Sequence, residues 1–479
     1  MMRNQLENLI ADPAVERLAD VFERAGYSLY LVGGAVRDAL LGLPPKDLDF
    51  TTDARPAMVE QLLLRAGSTH IGSIGKKFGT MTGQVCGKVV EITTYRSEVY
   101  EPGNRSPEVR FGDNLVEDLA RRDFTINAIA VGAYDGVLID PFRGADDVKL
   151  GDRLVLIRAV GDPDRRLQED PLRILRAVRF YARYNGSIAT NTYQAMMRNV
   201  ALLASVSNER IADEFSKILV GPDASVGVST LVNIGAMGYI LPEYTPVLEA
   251  NGQSQGRYHS KDIHAHTLAA VESSPATLVN RFAALLHDIG KPATRSEGPR
   301  VGEVHFIGHE VVGERITRQA LRRLKFSNDF VERVSRLVGM HMRPNTYEFG
   351  WTDGAVRRFV REAGDLLPDL LILSRADITS HNSMTVGKAL GRLNDLERRI
   401  DKLEEEAASV QVKSPLDGHE IMALFPDRAP GNWIGHIKDD LVGMVLDGQI
   451  QEDDKVVATK FVENCRDDAH QLSAHGTDL

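Results

Sequence analysis

Hydrophobic residues follow two different patterns along this chain, and the pattern changes near residue 160. Between residues 25 and 150, short apolar runs alternate with glycine turns and a few short helical patterns, as is typical of an α/β domain. From about Gly161 onward, apolar residues recur with the helical period, as in Pro171–Tyr184 and Asn208–Leu219. The sequence therefore predicts an α/β head followed by a mostly α-helical remainder.

Changes in composition divide the chain further. Residues 1–24 form an amphipathic pattern that predicts one leading helix, and Gly252–Gly256 (GQSQG) has the composition of a linker. Residues 386–408 predict a charged helix. The predicted organisation is a leading helix, an α/β head, a helical neck, a histidine-rich helical domain and a helical C-terminal tail, at residues 1–24, 25–150, 151–257, 258–385 and 386–479.

Composition and charge narrow the class of protein. With 479 residues, of which 43% are hydrophobic and 26% charged, the chain fits a multidomain globular protein. No apolar run is long enough to span a membrane, and the N-terminus lacks a signal-peptide core. Two cysteines, Cys86 and Cys465, do not make a disulfide framework, so we expect a cytoplasmic location. The net charge of −10 argues against a generic nucleic-acid binder but allows a local basic groove.

The stretch LVGGAVRDALLGLPPKDLDFTTD, residues 31–53, is the most informative part of the head. A strand-like run leads into Gly33 and Gly34, and a short helix follows them. Because glycines have no Cβ atom, backbone N–H groups of this turn can approach a phosphate. Arg37, one helical turn further on, can add a charged guanidinium.

The same stretch continues into a second strand that carries two carboxylates. Asp47 and Asp49 alternate with Leu48, so both point to one side of the strand. Two carboxylates this close repel each other unless a cation lies between them. Mg²⁺ fits, because it is bound by one or two carboxylates together with substrate phosphates. The glycine turn and the aspartate pair together indicate nucleotidyl transfer.

The pattern GGAVRD followed by DLDFTT resembles the signature of the DNA polymerase beta-like nucleotidyltransferase superfamily. Within it, the stretch is similar to the class II tRNA nucleotidyltransferases (CCA-adding enzymes) and the bacterial poly(A) polymerases. The resemblance implies a nucleotidyltransferase head in which Asp47 and Asp49 hold two Mg²⁺ ions. It also places Glu91, from the stretch VVEITTYR, beside this pair. Glu91 is then either a third catalytic carboxylate or the partner of Arg96 in a salt bridge.

Residues 117–130 (EDLARRDFTINAIA) resemble the second signature of the same family. We expect Arg121, Arg122 and Asp123 to open a helix that also carries Asn127. Because arginines near a helix N-terminus oppose the helix dipole, that placement would indicate an anionic ligand. The resemblance assigns Arg122, Asp123 and Asn127 to the triphosphate and ribose of the incoming nucleotide.

Residues 168–180 (QEDPLRILRAVRF) predict a helix with Pro171 in its first turn. Asp170 and Arg173 are three positions apart and share a face, where they offer an acceptor and a donor to the edge of cytosine or adenine. Alternatively, they form only an ion pair, worth roughly a few tenths of a kcal/mol. The stretch matches the E-D-x-x-R signature by which the family selects nucleotides without a template. The nucleotide-binding residues assigned to this helix are Asp170, Arg173, Arg176 and Arg179.

Several histidines of the helical region have acidic neighbours. Their order, a histidine, a His-Asp pair and a distant aspartate, resembles that of the HD phosphohydrolase superfamily. Imidazoles and carboxylates favour divalent metal ions, and the resemblance implies a site for Ni²⁺, Mn²⁺, Co²⁺ or Mg²⁺. The residues that match the ligands of this superfamily, including the additional ligands of its two-metal members, are His266, His287, Asp288, His309, His341 and Asp377.

The family resemblance implies addition of CMP, CMP and AMP to the 3′ end of tRNA, with CTP and ATP as substrates. A poly(A) polymerase, or an HD phosphodiesterase or phosphatase with an RNA-binding head, is the alternative. Residues 97–112 predict a mobile loop. In the resembled family a flexible loop here helps the switch from C to A addition, so the full length of this one favours CCA addition over addition of A alone. Residues 415–446 resemble a segment that would help hold tRNA. The sequence indicates no obligatory protein partner and leaves the oligomeric state open.

Overall fold

A computed structural model describes residues 2–45, 47–72, 79–99, 108–148, 155–250, 262–300, 303–349, 351–379, 383–409, 413–426, 428–446 and 449–474. The chain separates into two compact units. The first contains residues 1–249, 275–281 and 319–328, and the second contains residues 250–274, 282–318 and 329–479. The predicted linker Gly252–Gly256 lies outside the described residues. The five-part division of the chain stays a prediction.

The first 250 residues contain the sheet and its helices. In chain order the elements are α1 (Met2–Ile10), α2 (Pro13–Arg24), β1 (Leu29–Val32), α3 (Gly34–Leu40), β2 (Leu48–Thr52), α4 (Pro56–Arg65), β3 (Ile71–Gly72), β4 (Thr80–Val85), β5 (Lys88–Thr94), β6 (Arg96–Val99), β7 (Glu108–Phe111), α5 (Leu115–Ala120), β8 (Ala130–Gly132), β9 (Leu138–Ile139), α6 (Gly144–Val148), β10 (Leu156–Ile157), α7 (Pro163–Glu169), α8 (Arg173–Arg183), β11 (Ser187–Ile188), α9 (Thr190–Asn199), α10 (Asn208–Leu219), α11 (Ala224–Asn233), α12 (Met237–Ile240) and α13 (Thr245–Glu249).

The remaining described residues are almost wholly helical. Their elements are α14 (Ile263–Ser273), α15 (Leu278–Leu286), α16 (Lys291–Thr294), β12 (Ser296–Glu297), β13 (Val304–His305), α17 (His309–Arg323), α18 (Asn328–Met340), α19 (Asp353–Ala363), α20 (Leu367–Asp377), α21 (Ser383–Ser409), α22 (Gly418–Ala423), α23 (Trp433–Leu446) and α24 (Lys455–Ala474). Short 3₁₀ turns at Thr125–Asn127, Val200–Ser205, Pro242–Tyr244, Pro344–Phe349 and Gly364–Leu366 connect elements along the chain.

The leading segment differs from the prediction, because it forms two helices instead of one. Pro13 is the first residue of α2, where its missing N–H costs nothing, whereas it could not have continued α1. The Asp12 side chain caps α2 by accepting a hydrogen bond of 2.9 Å from the Ala14 N–H. The break between α1 and α2 is therefore encoded by an Asp-Pro pair that the amphipathic pattern concealed.

The head is built on a seven-stranded sheet in the order β3-β4-β5-β2-β1-β8-β9. Its β2–β5 pair is parallel, and the other neighbouring strands are antiparallel. On one face of the sheet, a row of buried side chains crosses four neighbouring strands. These side chains, which pair in register, are Met81, Ile92, Phe50 and Leu31. The α/β head predicted from the apolar pattern is confirmed.

The segment predicted as a mobile loop, residues 97–112, has ordered ends. Strands β6 and β7 form an antiparallel hairpin in which Arg96 pairs with Phe111 and Val99 with Glu108. Residues 100–107 lie outside the described residues. The prediction of a loop was therefore wrong for the two strand segments, whose alternating pattern is too short to stand out among prolines and glycines.

The helical region follows the sequence prediction closely. Helix α10 has the bounds read from the apolar period, and α21 contains the predicted charged helix. Helices α22 to α24 enclose a small core of their own, with Leu416, Phe425 and Leu441 among its buried members. None of the helices within the described residues is both long and apolar enough to cross a membrane.

Candidate functional site

The turn between β1 and α3 requires glycine at its first position. Gly33 has a φ of +65°, a backbone conformation that side chains with a Cβ rarely adopt. A Cβ atom there would lie 3.1 Å from Nη1 of Arg122 and 3.7 Å from Oδ2 of Asp49. The glycine turn therefore brings backbone, a guanidinium and a carboxylate together, as a phosphate site beside a metal site requires.

Three carboxylates occupy the open face of the sheet. Asp47 is exposed just before β2, and Asp49 is half-buried within it. Glu91 on the parallel neighbour β5 is the in-register partner of Asp49, and its side chain is exposed. Partners in register point to the same face. The structure thus brings together the three carboxylates that the sequence proposed as catalytic.

The negative charge of this cluster is only partly compensated. Burial and the nearby Glu91 and Asp47 raise the pKa of Asp49 to about 6, although Arg122 and Arg37 act in the opposite direction. A carboxyl whose pKa rises in this way binds a proton more tightly than usual, and the part of the shift that comes from Glu91 and Asp47 reflects excess negative charge, which a cation would neutralise. The cluster therefore fits a divalent metal ion held by oxygen ligands.

The arginine pair of the second signature lies at the end of a helix, which corrects the prediction. Helix α5 ends at Ala120, and Arg121 follows as its C-cap. Cations are favourable at this end of a helix, so the argument from an opposed dipole does not hold. Both arginines pair instead with the fully buried Asp118, at 2.8 Å for Arg121 and 3.4 Å for Arg122. Asp118 therefore orients the guanidinium of Arg122 beside Gly33.

A buried chain of hydrogen bonds links α3 to α8 within the first unit. Arg37 Nη1 donates to Asn127 Oδ1 at 2.5 Å, and Asn127 Nδ2 donates to Asp123 Oδ1 at 2.9 Å. Asp123 Oδ2 then accepts from Arg176 Nε at 2.8 Å. Asn127 lies in a 3₁₀ turn and not on the helix predicted for it. Four predicted nucleotide-binding residues therefore form one network within the first unit.

Arg37 is held more tightly than the sequence suggested. Its guanidinium is 5% exposed and also pairs with Asp38 at 2.8 Å. It lies 5.1 Å from the ring centroid of Phe180 and 5.2 Å from that of Tyr184, both on or next to α8. Arg37 therefore connects the glycine turn to α8, and its side chain is not a free surface cation.

The charges in this network keep its members ionised. Burial alone would raise the pKa of Asp123, but Arg176 and the hydrogen bond from Asn127 hold it far below its usual range. Arg176 and Arg179 in turn approach the buried Glu214 of α10, at 3.7 and 3.2 Å. These contacts fix the two arginines on one side of α8.

The predicted base-reading helix is interrupted at its first residues. Helix α7 ends at Glu169, a turn follows, and α8 begins at Arg173. Asp170 pairs with Arg210 at 2.8 Å, while Arg173 donates to Glu169 at 3.1 Å and to the Arg121 carbonyl at 3.0 Å. An ion pair between Asp170 and Arg173 is therefore not what the described contacts show. Pro171 lies in the turn before α8 and not in its first turn.

The histidine cluster lies in the second unit, and its side chains come from helix ends that are distant in sequence. His266 is on α14, His287 and Asp288 follow α15, and Asp377 ends α20. The Nε2 atoms of His266 and His287 are 3.0 Å apart, and Asp377 Oδ1 is 2.9 and 3.3 Å from them. His266, His287 and Asp377 thus converge as a possible ligand set.

A second group of ligands adjoins the first and contains Asp288, His309 and His341. The Nε2 atoms of His309 and His341 are 3.2 Å apart. Asp288 faces both groups, because its Oδ1 is 3.5 Å from His309 and its Oδ2 is 3.3 Å from His266. Asp288 is thus placed to serve either group, and the two groups together offer ligands for two divalent metal ions.

The histidines are oriented through their other ring nitrogens. His287, His309 and His341 each place Nδ1 at 2.7–2.8 Å from a backbone carbonyl, those of Ala284, Phe306 and Val338. His266 places Nδ1 at 2.6 Å from the Thr379 hydroxyl. A carbonyl can only accept, so each of the first three Nδ1 atoms carries a proton, and Nε2 is the ring nitrogen that faces the cluster. This arrangement is characteristic of metal-binding histidines.

The buried charges of this cluster also fit a metal centre. Burial and the neighbouring His287 lower the pKa of His341 to about 4, so this ligand is neutral at physiological pH. For His287, burial favours the neutral form, but Asp288 and Asp377 raise its pKa to about 10. Metal ions would replace the proton as the charge that balances the two carboxylates.

Comparisons with known proteins agree with this geometry. Residues 29–153 match the family described as Poly A polymerase head domain, residues 187–248 match Probable RNA and SrmB- binding site of polymerase A, and residues 264–382 match HD domain. The chain is 34% identical over 422 residues to the A-adding tRNA nucleotidyltransferase of Deinococcus radiodurans, which covers 85% of this chain and 89% of that protein. The chain belongs to the tRNA nucleotidyltransferase family.

Other relatives within this family differ in the nucleotides they are named for. The CC-adding tRNA nucleotidyltransferase of Thermus thermophilus is 32% identical over 406 residues, 82% of this chain and 84% of that protein. The CCA-adding enzyme of Lactobacillus helveticus is 42% identical over 219 residues, 43% of this chain and 52% of that protein. The crystal structure of the Bacillus stearothermophilus CCA-adding enzyme in complex with CTP has a TM-score of 0.65 and 26% identity, and covers 96% of this chain and all (100%) of that one.

Family membership confirms the predicted nucleotidyltransferase head, the helical remainder and the HD domain, and it implies use of divalent metal ions. Sequence reasoning missed several supporting residues. Asp118, Glu214 and Lys291 are buried charged residues, and their burial shows only in the fold. Lys291 places Nζ 2.7 Å from Asp288 Oδ2. Asp38 and Thr379 carried no distinct signal, because only the fold reveals their partners.

Proposed function

We propose that this chain adds CMP, CMP and AMP to the 3′ end of tRNA, using CTP and ATP. The observation that carries the proposal is the open sheet face on which Asp47, Asp49 and Glu91 meet, next to Gly33 and Arg122. The similarity to A-adding, CC-adding and CCA-adding proteins supports tRNA as the acceptor. Action on tRNA supports a cytoplasmic location, as does the absence of a membrane-spanning helix among the described residues.

In the proposed reaction, the 3′-oxygen of the RNA attacks the α-phosphorus of the nucleoside triphosphate. A new P–O bond forms, the bond to the β-phosphate breaks, pyrophosphate leaves, and the hydroxyl proton passes to water. Asp47 and Asp49 would hold Mg²⁺, which supplies Lewis acidity at the reacting oxygens. Glu91 adds negative charge on the same face. Arg122, oriented by Asp118, contributes positive charge beside the glycine turn, where the triphosphate would lie.

Base selection is assigned to the start of α8. Asp170 and Arg173 flank the turn between α7 and α8, and a carboxylate and a guanidinium there can pair with the edges of cytosine and adenine. The network from Arg37 through Asn127 and Asp123 to Arg176 ties this turn to the head. Such a link would keep the base-reading groups at a constant distance from the carboxylates.

The test uses tRNA that lacks its terminal CCA, with each labelled nucleotide offered singly and together. The proposal expects two additions from CTP and one further addition when ATP is also present. Addition of A alone to tRNA ending in CC would indicate an A-adding enzyme. Addition of many A residues to unrelated RNA would indicate a poly(A) polymerase, and no addition to any acceptor would contradict the proposal.

A second activity is favoured by the ligand cluster of the second unit. We infer that its two groups, joined by Asp288, hold two divalent ions, with Ni²⁺, Mn²⁺, Co²⁺ and Mg²⁺ as candidates, and hydrolyse a phosphoester. The carrying observation is that three histidine Nδ1 atoms are committed to backbone carbonyls while Nε2 faces the cluster. Hydrolysis of a 2′,3′-cyclic phosphate, measured with each metal in turn, tests this activity.

A further inference from the structure

Two carboxylates of the head belong to a row of register partners that extends across three strands. Asp49 on β2 is the register partner of Glu91 on β5, and Glu91 is the partner of Thr82 on β4. Neighbouring strands are about 4.8 Å apart, so Thr82 lies roughly 5 Å from Glu91 and roughly 10 Å from Asp49 along this row. All three residues point to the open face, since Met81 and Gly83 on either side of Thr82 are buried.

The two ends of this row have different roles in a displacement at phosphorus. The glycine turn and Arg122 lie beyond Asp49 on the β1 side, since β1 follows β2 in the sheet order. The triphosphate and its leaving pyrophosphate would lie there. Attacking and leaving oxygens are roughly in line in phosphoryl transfer. The attacking 3′-hydroxyl of the RNA must then approach from the opposite side, over Glu91 and towards Thr82.

The Thr82 side chain suits contact with this RNA end. Its hydroxyl makes no hydrogen bond to any described residue, and the side chain is half-buried with its face open. Gly72, its partner on β3, places no side chain beside it, whereas a Cβ on Gly72 would lie 3.5 Å from the Thr82 Cβ. By contrast, the Thr80 hydroxyl on the same strand face is already within 3.0 Å of the Thr93 hydroxyl.

We propose that the Thr82 hydroxyl binds the 2′-hydroxyl of the acceptor's terminal ribose and so positions the attacking 3′-oxygen. The 2′-hydroxyl is adjacent to the 3′-hydroxyl, both donates and accepts hydrogen bonds, and distinguishes RNA from DNA. A threonine hydroxyl has the same dual capacity. This inference rests on the proposed nucleotidyl transfer and assigns an acceptor-binding residue to it.

The experiment measures kcat/KM for one CMP addition to two acceptors at saturating CTP. One acceptor is tRNA lacking CCA, and the other is the same tRNA with a 2′-deoxy terminal nucleotide. A neutral hydrogen bond contributes about 1 kcal/mol, so wild type should prefer the ribose acceptor by about fivefold. Thr82→Val should reduce use of the ribose acceptor by about fivefold and treat both acceptors alike. The KM for CTP should not change.

Two further variants make the result specific. Thr82→Ser keeps the hydroxyl and should restore the preference, and Thr80→Val should behave as wild type, because the Thr80 hydroxyl is bonded elsewhere. The inference is overturned if Thr82→Val keeps the wild-type preference, if wild type shows no preference, or if the KM for CTP rises instead. Failure of wild type to extend either acceptor would count against the proposed function itself, which makes the two failures distinguishable.

Discussion

The two candidate metal sites of this chain are built in opposite ways. In the head, Asp47 and Glu91 are exposed and Asp49 is half-buried, and all three project from neighbouring strand positions onto an open face. In the second unit, His287 and Asp288 are at most 2% exposed, and the other ligands are drawn from the ends of separate helices. One site presents too few ligands to enclose an ion, whereas the ligands of the other are mostly buried, with Asp377 the most exposed at 17%.

This difference indicates how each site acquires its metal. Mg²⁺ keeps several waters and is usually bound by one or two carboxylates plus substrate phosphates, so under the proposed function the head site would be completed only when nucleotide arrives. In the HD cluster, hydrogen bonds at Nδ1 orient the imidazoles before any metal enters. Such a site pays little for reorganisation and should retain its ions through purification.

The largest effect is expected at Asp49. Asp49→Ala removes a carboxylate from a site that has few ligands to spare, and both C and A addition depend on the same site. We expect both rates to fall by on the order of a thousandfold, as for loss of a principal electrostatic group. Labelled-nucleotide incorporation measures both. Asp146→Ala, at an exposed surface position, is the matched control, and survival of either addition above roughly a tenth of wild type contradicts the assignment.

Replacing both His287 and Asp288 by Ala should separate the sites. The double variant loses one ligand of the first group and the carboxylate that joins the two groups, so bound transition metal should fall from up to two equivalents towards none. Nucleotide addition should stay within roughly twofold of wild type, because the two sites belong to separate compact units and share no ligand, and sites with no shared partner act independently. Elemental analysis and the addition assay measure the two outcomes.

The control for this double variant is His305→Ala, which removes a partly exposed histidine outside both ligand groups. It should keep its metal and its hydrolase activity. A decrease in the melting temperature of the double variant alone is expected too, because a bound metal stabilises the fold by mass action. Equal metal content in wild type and double variant would refute the assigned ligands.

An intermediate effect is expected at the base-reading turn. Asp170→Ala should admit UTP or GTP and slow the use of CTP and ATP, since a lost bidentate base contact costs about 1–3 kcal/mol by analogy with groove recognition. Arg173→Ala should do the same and also reduce stability, because Arg173 holds the Arg121 carbonyl and Glu169. Single-nucleotide incorporation with all four triphosphates measures discrimination. The control is Arg165→Ala, at an exposed position. If both variants reject UTP as well as wild type does, this turn has a purely structural role.

Most of the fold could be predicted from patterns within short stretches of sequence. The strand–glycine–helix–strand order of residues 27–52 is written in adjacent residues, and so are the bounds of α10. The sequence also contains a signal for the start of α5, because Asn114 caps this helix by accepting a hydrogen bond from the Val116 N–H. An asparagine followed three residues later by Glu117 is a helix-start signal. Reading it would have placed the arginines at the helix end.

Other features depended on contacts that no local pattern contains. The pairing of Glu91 with Asp49 joins positions 42 residues apart and is set by the strand order of the finished sheet. Asp288 turns one carboxylate oxygen towards each ligand group, and this likewise follows from how α14, α17 and α20 approach one another. Family resemblance supplied the order of the ligands, but only the fold shows which atoms meet.

The smallest expected effect is on stability, and it comes from the partly compensated negative charge of the carboxylates in the head. The pKa of Asp49 is raised to about 6 in the folded chain, so the folded state binds a proton more tightly than the unfolded state. Stability attributable to this carboxyl is therefore present at low pH and is lost as pH rises from about 4 to about 6. In chelator, Asp49→Asn should be more stable than wild type by roughly 1–3 kcal/mol at pH 7, and the difference should vanish near pH 4. Urea unfolding at each pH measures this difference.

With Mg²⁺ and CTP present, the order of stability should reverse, because only wild type gains from the bound ion. An HD-site variant such as His309→Ala, compared with wild type in the same way, should show no such reversal. A difference that stays constant between pH 4 and pH 7 would mean that Asp49 is not the uncompensated charge that distinguishes the open site from the closed one.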